Sequence, residues 1–94
     1  MKFDLGRLTV THGVFNKIES DEQFLNFIMT SIGRYCACDW GDLSINDKEA
    51  NAIAVTKGDE RILATYTSKD SNAKIWIITE SDRSATTVLF PEEY

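Results

Sequence analysis

Proline occurs once in these 94 residues, at Pro91, histidine once, at His12, and cysteine twice, at Cys36 and Cys38. The scarcity of proline leaves helices and strands uninterrupted almost to the end of the chain. Two cysteines one residue apart make a strained disulfide and cannot supply the framework of a small secreted scaffold. No apolar run approaches the roughly 20 residues of a membrane-spanning helix. The opening Met1-Lys2-Phe3-Asp4-Leu5-Gly6 has neither the apolar core nor the cleavage site of a secretory signal, so a cytoplasmic protein is expected. Cations are also few. Ten Lys and Arg stand against fifteen Asp and Glu, a formal charge of −5. Without a basic face to displace counterions from phosphates, no direct nucleic-acid binding and no membrane contact are expected. An acidic balance suits docking on the basic surface of another protein, although acidic soluble proteins are common for other reasons.

What the chain does have is ordinary globular material, 43% hydrophobic and 27% charged, at a length that supports one core. A single domain over residues 1–94 is expected. Its centre is Lys74-Ile75-Trp76-Ile77-Ile78-Thr79-Glu80, a β-rich run set between two others, 61–67 and 85–90. These read as a meander of three strands over about 60–67, 73–80 and 85–90, joined by Ser68–Asn72 and Ser81–Ser84, with Pro91 ending the last. A first short strand is read from about Gly6 to Val10. Val14, Phe15 and Ile18 then recur at helical spacing after a Thr11 cap. Ser20-Asp21-Glu22-Gln23 fits a capping box opening a helix to about Tyr35, with Phe24, Phe27, Ile28, Ile32 and Tyr35 on one face. Ser44 or Asn46 caps a third helix that Gly58 ends. The order β-α-α-α-β-β-β predicts an α+β, two-layer domain. Its antiparallel sheet should have about four strands, the first at an edge, with the helices on one face.

Four stretches carry chemistry. His12, Cys36, Cys38 and Asp39 border one predicted helix pair and together form a candidate structural zinc site, against the plainer reading of two small buried thiols and a surface imidazole. Asp39-Trp40-Gly41-Asp42 sets an indole between carboxylates, either a partner-binding anchor or a ring folded onto the core. Glu80, Asp82 and Arg83 are placed to bridge a turn. Asp39, Asp42, Asp47, Glu49, Glu92 and Glu93 are candidates, with Trp40, for a partner-binding surface. Neither an oxyanion-hole loop nor an orienting third group accompanies the cysteines and the histidine, so an enzyme is not expected.

The Asp39-Trp40-Gly41-Asp42-Leu43 loop resembles a family of small bacterial proteins called plasmid-related, which occur on mobile genetic elements. So does the run from Lys74–Glu80 through Asp82-Arg83-Ser84 to Thr86-Thr87-Val88-Leu89-Phe90-Pro91-Glu92-Glu93-Tyr94. That pattern has His where this chain has Tyr35 and no cysteine at Cys36. The resemblance carries no reaction with it. In size and charge the chain is also similar to anti-CRISPR proteins of phages and mobile elements. What this implies is a non-enzymatic inhibitor that binds a CRISPR–Cas effector, Cas9 above all, by direct protein–protein contact. The alternative is a zinc-binding accessory or regulatory protein of a mobile element with another protein partner.

Overall fold

The computed structural model describes residues 2–70 and 72–94. Met1 of the N-terminal stretch and Ser71 of the Ser68–Asn72 connection lie outside them. Strand β1 (Arg7–Val10) leads into helix α1 (His12–Ser20), α2 (Glu22–Cys36) and α3 (Ile45–Lys57). Strands β2 (Ile62–Thr67), β3 (Lys74–Thr79) and β4 (Ala85–Leu89) follow, then a 3-10 turn at Pro91–Glu93. Each helix begins at a side chain that takes an orphan N–H. Thr11 accepts from Val14, Asp21 from Phe24 and Ser44 from Asp47. The cap of α2 is therefore Asp21, one residue later than the expected capping box. Ser20 instead closes α1, its hydroxyl donating to the Asn16 and Lys17 carbonyls. Gly58 ends α3 in the left-handed conformation at φ 74°.

The sheet runs β1-β4-β3-β2, so β3 is flanked by β2 and β4, and β1 takes an edge. One expectation is corrected. The sheet is mixed, because β1 pairs with β4 in parallel, whereas β4–β3 and β3–β2 are antiparallel. Two antiparallel pairings leave β4 running in the direction of β2, and β1 enters the sheet in that same direction. A pattern of hydrophobic residues does not register this.

Pairing assigns the faces. Ile62, Ala64, Tyr66, Ile75, Ile77, Thr79, Thr86 and Val88 point one way and are all buried. Against them lie Val14 of α1 and Phe24, Ile28 and Tyr35 of α2, with Trp40 and Phe3 completing one core. Across this face runs a chain of hydroxyls, Tyr35 to Thr79 at 2.7 Å, Thr79 to Thr86 at 2.7 Å, and Thr86 to the Leu5 carbonyl at 2.7 Å. Helix α3 flanks the β2 edge instead of lying over the sheet. Its buried Asn51 donates to the Leu63 carbonyl at 2.7 Å and accepts from the Leu63 N–H at 3.4 Å, as a neighbouring strand would. Farther along, Asp42 N–H donates to the Thr65 carbonyl at 2.8 Å. Arg83 fastens the end of α3. Its guanidinium donates to the carbonyls of Ala54, Glu60, Glu80 and Ser81 and to neither acid beside it.

Candidate functional site

The Asp39–Asp42 loop forms where α2 stops. Cys38 turns left-handed at φ 62°, and Asp39 N–H returns to the Arg34 carbonyl at 2.9 Å. The Asp39 carboxylate takes two hydrogen bonds from Arg34, at 2.7 and 3.2 Å, and one from Gly41 N–H at 3.2 Å. The Arg34 guanidinium, the largest cause, holds Asp39 below the usual carboxylate range. Arg34 in turn lies over the Tyr66 ring, and the Tyr66 hydroxyl donates to the Asp39 carbonyl at 2.7 Å. Gly41 passes so close to β2 that a Cβ there would sit 2.0 Å from the Thr65 carbonyl oxygen. Trp40 is only 6% exposed and packs edge-on against Tyr35 at 5.4 Å. The loop is a clasp between α2 and the sheet. Its indole belongs to the core and presents no anchor to a partner.

The expected metal ligands have separate surroundings. His12 opens α1, with its side chain exposed and beside Val10, Thr11 and Phe15. Cys36 is the last residue of α2, and Cys38 follows it in the turn. Helix α2 has 15 residues and α1 has nine. At about 1.5 Å per residue, α2 overshoots the start of α1 by roughly 9 Å even if the two are antiparallel. Burial pushes the Cys38 thiol up, which favours the neutral form over the thiolate that a metal needs. Among the described residues no three His, Cys, Asp or Glu side chains come together to hold a metal ion.

The expected partner-binding acids divide into two groups. Asp39, Asp42, Asp47 and Glu49 belong to the clasp and the first half of α3, along the β2 edge. Glu92 and Glu93 follow β4. Glu93 ties the end of the chain to the start of α1, accepting from Phe90 N–H at 2.8 Å and from the Thr11 hydroxyl at 2.7 Å. These bonds hold its carboxyl below the usual range, the Phe90 N–H being the largest cause. Asp42, Asp47, Glu49 and Glu92 are exposed, and among the described residues their carboxylates have no hydrogen bond or ion pair.

A further feature is absent from the expected sites. The sheet face turned away from α1 and α2 carries Leu63, Thr65, Trp76, Ile78, Thr87 and Leu89. Trp76, in the strand expected at the centre of the core, is half-buried there. Tyr94, 67% exposed, meets Trp76 edge-on at 5.5 Å. The Arg61 guanidinium stacks over the Tyr94 ring at 5.6 Å and donates to its hydroxyl. Arg61 also lines a hollow of about 300 Å³ with Leu43, Asp47, Ala50, Asn51 and Leu63. Of the expected acids, Asp47 shares that hollow with Arg61, and Glu92 stands two residues before Tyr94 in the chain. Thr65, opposite Trp76 in register, has a buried hydroxyl without a partner among the described residues. Strict alternation is the signal that finds this face, since Trp76 stands between Ile75 and Ile77 and must point away from them.

No protein-family model, curated protein or solved structure matches this chain.

Proposed function

We propose that this protein is a binding module without catalysis of its own, and that a second protein docks on the sheet face bearing Trp76, Tyr94 and Arg61. The observation that carries this reading is the cluster itself. Trp, Tyr and Arg are the residue types that dominate binding energy at protein interfaces, and here they stack on one another on the sheet face turned away from α1 and α2, with Tyr94 67% exposed above the buried Ile78 and Leu89. The exposed acids Asp47, beside Arg61, and Glu92, near Tyr94 in the chain, select a partner with basic groups around an apolar contact. A CRISPR–Cas effector, whose nucleic-acid channels are lined with Arg and Lys, meets that description. The acidic balance and the resemblance to proteins of mobile elements support the same partner. The module then acts by occupying the effector's basic surface.

Co-elution with a purified Cas9 on gel filtration tests this. A complex should form at low ionic strength and weaken as salt shortens the screening length. Trp76→Ala and Tyr94→Ala should each cost about 2 kcal/mol of binding, roughly 30-fold, with folding retained. Absence of a complex at low salt removes the effector as partner. A complex indifferent to both substitutions removes the proposed face. Capture from cells carrying other defence systems then separates a wrong partner from a wrong face.

A further inference from the structure

The sheet treats its two edges differently. The β2 edge is covered at Leu63 and Thr65, by the Asn51 amide at the Leu63 N–H and C=O and by the Asp42 N–H at the Thr65 carbonyl. The β1 edge is open. Its parallel ladder uses Arg7, whose N–H donates to the Ser84 carbonyl at 3.0 Å, and continues through Thr9 to Thr11, whose N–H donates to the Val88 carbonyl at 3.1 Å. Alternation turns the N–H and C=O of Leu8 and Val10 outward, and among the described residues nothing pairs with them. The side chains beside this edge are apolar and exposed, Leu8 at 45% and Phe15 at 48%. Next to them is a hollow of about 130 Å³ lined by Val10, Thr11, His12 and Phe15.

We propose that this edge pairs antiparallel with β1 of a second copy, about a two-fold axis through Thr9. In that register Leu8 stands opposite the partner's Val10. The two exchange a pair of N–H···O=C bonds, which the axis repeats. Leu8 and Val10 lie on the helix side of the sheet, in register with Thr86 and Val88. The Leu8 side chain therefore enters the hollow beside the partner's Phe15. Arg7, which has no ion pair within its own chain among the described residues, comes opposite the partner's Thr11, whose hydroxyl holds the partner's Glu93 carboxylate. Backbone groups, apolar fit and charge all repeat under one operator, which is the property of a two-fold interface and argues for a second copy over a foreign strand. A four-residue strand and two side chains bury less than the roughly 1,200 Å² of a stable interface, so the dimer is weak, with a dissociation constant on the order of 100 μM. Pairing joins two sheets into one and sets two Trp76–Tyr94 faces side by side.

Sedimentation equilibrium across about 10 μM to 1 mM, a span that brackets that constant, tests the proposal. The wild-type mass should rise from 10.6 kDa toward twice that value. Leu8→Pro removes an outward N–H that the intrachain ladder does not use, and should remain a monomer throughout. Arg7→Glu replaces the cation with a carboxylate near the partner's Glu93, which Thr11 holds, and should weaken the dimer at least tenfold. A wild type that stays monomeric at 1 mM overturns the proposal, as does a dimer that a folded Leu8→Pro variant leaves unchanged. If Leu8→Pro does not fold, Arg7→Glu decides, and an unchanged dimer constant overturns the pairing. Cas9 co-elution reads a different surface, so either result stands without the other.

Discussion

Replacing Tyr35 by phenylalanine should destabilise the protein by about 1–1.5 kcal/mol, the net value of one buried hydrogen bond whose partner stays behind. The magnitude follows from counting protons. Each hydroxyl has one to give. Thr86 gives its proton to the Leu5 carbonyl at 2.7 Å, so Thr79 must give to Thr86 and Tyr35 to Thr79, both at 2.7 Å. Tyr35 is fully buried, and burial, the largest cause, pushes its phenol far above the usual range, so it remains a donor at any working pH. Tyr35→Phe keeps the ring and opens no cavity of consequence. It removes only the first donor of the chain. Thr79→Val breaks the chain in the middle, leaving Tyr35 just the Ile62 carbonyl at 3.4 Å and Thr86 no donor, and should cost about 2–3 kcal/mol. The double variant should cost about 1 kcal/mol less than the sum, because both changes delete the same bond. Urea unfolding reads all three as midpoint shifts, about 0.7–1 M for Tyr35→Phe at a slope near 1.5 kcal/mol/M. A Tyr35→Phe midpoint equal to wild type, or strict additivity in the double variant, would refute the relay.

Three further outcomes are expected. Gly41→Ala should cost more than about 3 kcal/mol, because φ is 74° and the added Cβ would lie 2.0 Å from the Thr65 carbonyl oxygen; a urea midpoint near wild type counts against the clasp. Thr65→Val should be neutral or stabilising by up to about 1 kcal/mol, since it deletes a buried hydroxyl that has no partner among the described residues, and a clear loss of stability would mean that this hydroxyl is served. The Glu93 and Asp39 carboxyls are held below their ordinary 4.5 and 3.8, so their stabilisation is fully present above those values and is lost as pH falls through and below them. Both groups are largely exposed, so the combined loss should be about 1 kcal/mol, and Glu93→Gln should flatten part of that slope in acid titrations of stability.

Local signals in the sequence are enough for the elements and their order. Thr11, Ser44 and Gly58 bound helices through hydrogen bonds and backbone angles made within a few residues, and such bonds need no tertiary partner to be foreseen. The α2 face of Phe24, Ile28 and Tyr35 is legible for the same reason, as is the meander. Arg83 shows the limit. Beside Glu80 and Asp82 it reads as half of an ion pair, yet it reaches carbonyls as distant in sequence as Ala54. Of the two tryptophans, Trp40 takes the core place read as one of its two alternatives, and Trp76 departs from the core place its strand suggests. Trp40, in a polar loop, is buried, whereas Trp76, in the most apolar strand, is half-exposed beside Tyr94.

By itself, then, the amino-acid sequence determined the elements, their order and, to within a residue or two, their ends, since periodicity and capping act over one or two turns. Tertiary structure alone decided that β1 runs parallel to β4, that Asn51 covers one sheet edge at Leu63 while the other stays open, and that Trp76, Tyr94 and Arg61 share a face. Those outcomes depend on chain direction and on what covers each surface. Both are properties of elements packed together, which the residues of no single element specify.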